Sequence, residues 1–164
     1  MAKQRQEGPS QIPSAPKVMA DVYQYVIKEA SPFKNELFEF WKEVAATKVG
    51  VLQANFGNKV LRLRDRHHEH FIKWLEIRKK AENLEELIKP DDPDHMQKIS
   101  EYMKEPVIQQ FVRDAESSIT RIMHDVTEIV RGLQSEVDMK RAAFIAALSM
   151  VFAAVAVLIS VFRS

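Results

Sequence analysis

The residues best suited to chemistry cluster at Arg66-His67-His68-Glu69-His70. Imidazoles and carboxylates at this spacing could bind a transition metal or move a proton. On a helix His67 and His70 share a face, with Asp65 and Glu69 beside them. A metal site needs three or four convergent ligands and a set of groups behind them that fixes their orientation. One helix rarely supplies all of these, and a di-iron site would need Glu-x-x-His on two helices. No such motif occurs. The cluster therefore reads as a solvated or bundle-edge histidine patch, and His124-Asp125 as a solvent-facing pair on a helix. Four glycines, at positions 8, 50, 57 and 132, cannot build a phosphate-cradling loop. Gly-x-Ser-x-Gly and His-Glu-x-x-His are both missing from the sequence. With no cysteine, disulfides, thiol nucleophiles and cysteine-ligated clusters are excluded. The sequence thus predicts no catalytic residue, no metal or other cofactor and no small-molecule substrate; the chain does not read as an enzyme.

A second candidate is electrostatic. Residues 61–80 carry Arg62, Arg64, Arg66, Lys73, Arg78, Lys79 and Lys80 against Asp65, Glu69 and Glu76. Arg62, Arg66, Lys73, Arg78, Lys79 and Lys80 form a candidate patch for anionic lipid or an acidic partner. Residues 82–105 are acidic instead, so the alternative is that the two stretches neutralise each other. The whole chain has a net charge of +1. No stacking aromatics or groove-reading motif accompany the arginines, which argues against a nucleic-acid partner.

The elements that must position these residues read as helices. Glycine and proline together are scarce, at 4 and 7 residues. Apolar residues make up 46% and charged residues 29%, which suits long water-facing helices and excludes a wholly disordered chain. Residues 1–15 hold Gly8, Pro9, Ser10, Pro13 and Ser14 and read as a flexible tail. A short helix follows from Pro16, with Val18, Met19, Val22 and Val26 on one face. Ser31-Pro32 is expected to end it and open the next, with serine as N-cap and proline at the first helical position. Phe33, Leu37, Phe40, Val44, Thr47, Val51 and Ala54 then recur alternately every four and three residues, a bundle or coiled-coil seam. The seam falters at Asn55-Phe56-Gly57-Asn58. It is expected to resume through Leu63, His67, Phe71, Trp74, Arg78, Ala81, Leu84 and Ile88. Gly57-Asn58 reads as a kink or a tight turn between two helices, since both residues tolerate a left-handed backbone. One uninterrupted helix from Pro32 to Lys89 is the alternative. Trp41, Trp74 and the phenylalanines fall at helical spacing and read as core.

Pro90-Asp91-Asp92-Pro93 is a loop, followed by a short helix carrying Met96, Ile99 and Met103. Pro106 starts or kinks the final helix, which has the best pattern in the chain. Ile108, Val112, Ala115, Ile119, Ile122, Val126, Ile129 and Leu133 form an unbroken apolar seam of the same spacing.

No breaker separates that seam, which tolerates Gly132, from residues 142–162, AAFIAALSMVFAAVAVLISVF, which contain no charge. At about 1.5 Å per residue this run spans roughly 31 Å, the thickness of a bilayer's hydrocarbon core. The chain's mean hydropathy of −0.27 conceals it. The first residues lack the apolar run of a signal peptide, and Glu7 argues against a mitochondrial presequence. The span therefore reads as a tail anchor. Arg131, Lys140 and Arg141 on its N-terminal side predict a cytoplasmic helical part. Within the span, Ala142, Ala146, Ser149, Ala153, Ala156 and Ser160 form a stripe of small residues on which another helix could pack closely.

A heptad helix running straight into a C-terminal anchor resembles a SNARE. That family places glutamine or arginine at a central layer, where this chain has only apolar layers from Ile108 to Leu133. Residues 37–133 are similar to bacterial phasins, in FWKEVAATKVGVLQANFGNKV, KKAENLEELIK and QQFVRDAESSITRIMHDVTEIV. That likeness implies long amphipathic helices coating a storage granule; a phasin does not normally carry a span.

The expected organisation is a tail (residues 1–15), a cytoplasmic all-α bundle or coiled coil (16–139) and a C-terminal membrane anchor (140–164). The expected role is a structural or accessory subunit, or adaptor, of a larger membrane complex. Its partners are the bilayer and other helical subunits or a second copy of itself. The alternative is a membrane-active protein that shapes membranes, coats a surface, forms a pore or aids fusion. A bacterial inner membrane and an organelle membrane both fit.

Overall fold

A computed structural model of the chain describes residues 15–88 and 105–163. Among them there is no strand. The elements are α1 (Ala15–Tyr23), π-helical turns at Gln24–Ala30, α2 (Ser31–Ala45), α3 (Val51–Phe56), α4 (Lys59–Ile88) and α5 (Glu105–Arg163). The fold class is all-α, and the last bundle helix continues without interruption into the apolar segment. The Pro90–Pro93 loop and the helix expected through Met103 lie outside the described residues. So does the expected tail, except for Ala15, which opens α1.

Ser31-Pro32 does not separate two helices. Ser31 sits at φ −67°, ψ −45°, inside the helical region, where an N-cap would be extended. The buried positions explain the continuity. Val18, Val22, Val26 and Ala30 are spaced by four residues each time, one residue more than a 4,3,4 seam. On an α-helix that spacing drifts off the face. Wider π-helical turns absorb the extra residue and keep all four side chains buried. The Ser31 N–H accordingly bonds the Val26 carbonyl, five residues back. Pro32, with no N–H to donate, follows directly.

The next interruption comes earlier than the seam suggests. α2 stops at Ala45, where Thr47 Oγ1 donates to the Glu43 carbonyl at 2.8 Å, taking up an acceptor left over at the helix end. Thr47, Val49 and Ala54 are buried, but Val51 is half exposed. The connection between α2 and α4 is thus a turn, the six-residue α3 and a second turn; one long helix is ruled out. Gly57 is extended, at φ −91°, ψ 159°, so no left-handed residue is needed there. Glycine is required for space: a Cβ would stand 2.6 Å from the Gln53 carbonyl oxygen.

On α4 the buried residues are Val60, Leu63, His70, Ile77, Ala81, Leu84 and Ile88, with His67 and Trp74 half-buried between them. These nine positions alternate steps of three and four from end to end. Phe71 and Arg78, expected in the seam, are exposed. On α5 the core takes Ile108, Val112, Ile119, Met123, Val126, Val130, Leu133 and Val137, while Ala115, Ile122 and Ile129 are half-buried.

Contacts divide the chain into two compact units. The first comprises residues 15–34, 75–88 and 105–119. Its core joins Phe33 and the α1 and π-helical residues to Ile77, Ala81, Leu84 and Ile88 and to Ile108, Val112 and Ile119. Lys80 meets Glu29 at 2.5 Å and Arg113 meets Glu85 at 3.1 Å across its helices. The second comprises residues 35–74 and 120–163. Leu37, Phe40 and Val44 of α2, Val60 and Leu63 of α4, and Met123 to Val137 of α5 make its core. Burying each such aliphatic side chain contributes about 1.5–3 kcal/mol, far more than any one exposed ion pair at about 0–1 kcal/mol.

Candidate functional site

The histidine cluster divides across α4. His68 is exposed, His67 is half-buried and His70 is only 7% exposed. Of the patch expected to be solvated or at the bundle edge, His68 is exposed and His67 half-buried, whereas the α4 seam takes His70 into the core. The His70 ring lies flat on Phe40, with centroids 4.7 Å apart and planes within 1°. Its Nδ1 is 2.7 Å from the Arg66 carbonyl, which can only accept, so Nδ1 carries the proton. Nε2 is directed toward Glu36, 3.4 Å away. Arg66 in turn lies over the Phe40 ring at 4.8 Å and pairs with Glu43 at 2.6 Å.

His67 Nε2 is 2.9 Å from Thr127 Oγ1, and the Thr127 hydroxyl donates to the Met123 carbonyl at 2.8 Å. The hydroxyl proton being committed, His67 donates through Nε2–H. Burial lowers the His67 pKa below its ordinary 6.5, and His70, His68 and Arg131 lower it further. Trp74 Nε1 reaches Thr120 Oγ1 at 3.3 Å. Thr120 and Thr127 thus give the inner face of α4 polar partners on α5. Nothing in the sequence analysis points to this layer, because Thr120 and Thr127 lie outside the apolar repeat of α5. Among the described residues no group of three His, Asp or Glu side chains is placed to hold a metal ion.

In the first unit the Tyr25 side chain is buried. Burial, then Glu116 and Glu29, hold its pKa well above the ordinary 10. Glu116 is raised by its own burial, against the lowering effect of Arg78, 3.6 Å away. The same unit carries an apolar groove of about 710 Å³ lined by Met19, Tyr23, Val107 and Phe111 among others. Of its lining residues only Ile108 belongs to the seam expected from the sequence.

The basic residues of α4 are exposed, as a binding patch requires. Among the described residues five of them meet carboxylates: Arg64 with Asp65 at 3.2 Å, Arg66 with Glu43, Lys73 with Glu36 at 2.5 Å, Arg78 with Glu82 and Glu116, and Lys80 with Glu29. Of these partners Glu82 alone belongs to the described part of the acidic stretch expected to neutralise them. Arg62 and Lys79 are exposed on the same helix.

α5 is the one described helix long and apolar enough to cross a membrane. From residue 142 to 162 every side chain is exposed except the half-buried Phe144. The stripe Ala142, Ala146, Ser149, Ala153, Ala156 and Ser160 is exposed along its whole length. Ser149 returns its hydroxyl to the Ile145 carbonyl at 2.9 Å, which satisfies it within the helix.

Just before the span, two cations turn inward to the α2–α4 connection. Lys140 Nζ donates to the Val49 carbonyl and to Glu136, and Arg141 Nε donates to the Ala54 carbonyl at 2.6 Å. Sequence reading used these residues only as an orientation signal. Phe56 of α3 meets Phe144 edge-on, with centroids 6.0 Å apart. The chain matches no protein-family profile, no characterised protein and no solved structure.

Proposed function

We propose that the chain is a single-pass membrane protein whose helical part lies on the cytoplasmic side. In this reading it serves, without catalysis, as a structural or accessory subunit, or adaptor, of a larger membrane complex. The observation that carries this reading is α5, one unbroken helix that holds buried seam residues and an apolar segment exposed on all sides. Support comes from two exposed apolar features: the small-residue stripe, which lets a second helix approach, and the groove by Phe111, of the kind that marks protein contacts. Arg131, Lys140 and Arg141 support the cytoplasmic orientation.

Photo-crosslinking residues placed at Ala153 and at Phe111 in native membranes test it. Both should give one discrete adduct with another protein. Adducts between copies of the chain alone would favour the self-assembling, membrane-active reading. Lipid adducts alone at both sites would refute the adaptor role. A cysteine at exposed Asn83, probed with an impermeant reagent in intact cells, should be protected.

A further inference from the structure

The short helix α3 looks misbuilt for a soluble connection. Ala54 is fully buried, yet Val51 is 50% exposed, Leu52 73% and Phe56 76%. Three large apolar side chains on six residues form an exposed apolar face with no purpose in water. The position of α3 supplies one. The Arg141 guanidinium binds the α3 carbonyl of Ala54, Lys140 binds the Val49 carbonyl just before α3, and Phe56 touches Phe144. Residues 140–144 are where charge ends and the span begins, so α3 is fastened at the depth of the lipid–water boundary.

Charge points the same way. Between Glu43 and Asp65 there is no acidic residue, whereas Lys48, Lys59, Arg62 and Arg64 all fall there and are all exposed. Exposed apolar side chains flanked by cations are what an interfacial helix presents to anionic headgroups. Binding the Ala54 carbonyl near the end of α3 through Arg141, and the Val49 carbonyl before its start through Lys140, also removes acceptors that would otherwise need water.

We propose that α3 is a membrane-interface helix: Val51, Leu52 and Phe56 insert among the lipid headgroups and upper acyl chains beside the span, with Lys48 and Lys59 against anionic headgroups. The helix acts as a stop that sets how deep the span sits. The proposal rests on residues 142–162 crossing the bilayer, and its test separates the two.

The chain has no cysteine, so single cysteines can carry an environment-sensitive fluorophore. The full chain is reconstituted in vesicles of mixed phosphatidylcholine and phosphatidylglycerol, with nitroxide quenchers held either near the headgroup or deep in the acyl chains. Leu52→Cys reports α3, Val151→Cys the middle of the span and Asn83→Cys the water-facing part. A label on Leu52→Cys should lie about 5–10 Å into the boundary. It should therefore emit to the blue of Asn83→Cys and be quenched more by the shallow nitroxide than by the deep one. Val151→Cys should show the reverse preference. If Val151→Cys is quenched by the deep nitroxide while Leu52→Cys behaves like Asn83→Cys, the α3 proposal is wrong and the span stands. If Val151→Cys escapes both quenchers, the span is wrong and the α3 proposal falls with it.

Discussion

The two parts of α5 share a spacing but not an environment. From Ile108 to Val137 the apolar repeat is buried against other helices of the same chain. From residue 142 to 162 the small-residue repeat is exposed throughout. An apolar repeat therefore reports that a helix face needs company, without saying whose. In the first part the company is supplied intramolecularly, and side-chain size follows: isoleucine, valine, methionine and leucine fill a core. In the second part the stripe is alanine and serine, while the large side chains lie elsewhere, the distribution expected where lipid replaces water and close backbone approach replaces burial as the reason to pack.

The sharpest break of this comparison is truncation. A chain ending before Ala142 keeps the buried part of α5 and loses the exposed one. It should remain helical by circular dichroism and move wholly from the membrane pellet to the supernatant in an alkaline carbonate wash. Retention of the truncated chain in the pellet would mean that membrane association does not depend on the exposed part.

Within the buried part, a charge is the severe test. Val126 is fully buried, and an unpaired carboxylate there costs several kcal/mol, comparable to a domain's whole stability. Val126→Asp should abolish cooperative thermal unfolding. A finer test uses neighbours. Met123 is 3% exposed while Ile122 is half-buried. Met123→Ala should destabilise by about 2–5 kcal/mol and Ile122→Ala by on the order of 1 kcal/mol. The opposite ranking would move the seam back to the Ile122 register.

That register shows how far the sequence could be read. Ile119, Val126 and Leu133 are legible because no apolar residue stands beside them in sequence, and Ile108 and Val112, which follow Val107 and Phe111, because they continue the same repeat. Ile122-Met123 and Ile129-Val130 are adjacent apolar pairs, and hydrophobicity cannot choose within a pair; packing does. On α4 the phase slipped for a different reason. The expected seam admits His67 but then steps to the apolar Phe71 and on to Arg78, whereas His70 and Ile77 complete the repeat. The stacked Phe40 ring and the Arg66 carbonyl that make His70 acceptable in a core come from tertiary structure and from the preceding turn. The π-helical turns left a visible trace in the repeated spacing of four from Val18 to Ala30. α3 left two: Gly50 and Gly57 bracket it, and no acid occurs from residue 44 to 64. The uncharged apolar helix of residues 142–162 was fully legible, since length and missing charge mark it in the sequence.

In the exposed part, the stripe and the faces around it should respond differently. Ala153→Leu enlarges a side chain where a partner backbone would approach, and an overpacked contact costs about 1–3 kcal/mol. Val151→Leu, off the stripe, adds one methylene that lipid tails accommodate. Both chains should insert equally. Only Ala153→Leu should weaken association, measured as crosslinking yield in native membranes. Equal yields would make the alanines compositional, leaving recognition to the water-facing helices.

The smallest effect tests whether the buried part carries a polar layer that titrates. His67 binds its proton less readily in the folded chain than the ordinary 6.5, first because it is partly buried and then because His70, His68 and Arg131 repel the charge. The unfolded chain therefore holds more protons in the interval just below 6.5, so stability falls as pH drops through that value. Below the folded-state pKa both states are protonated and the loss levels off. Above 6.5 the contribution is complete. His67→Gln keeps a donor for Thr127 Oγ1 but removes the titration, so the melting temperature should fall less steeply between neutral pH and pH below 6.5 than in the parent. Identical slopes in the two chains would show that His67 is as easily protonated folded as unfolded, and that the His67–Thr127 pair is not held out of water.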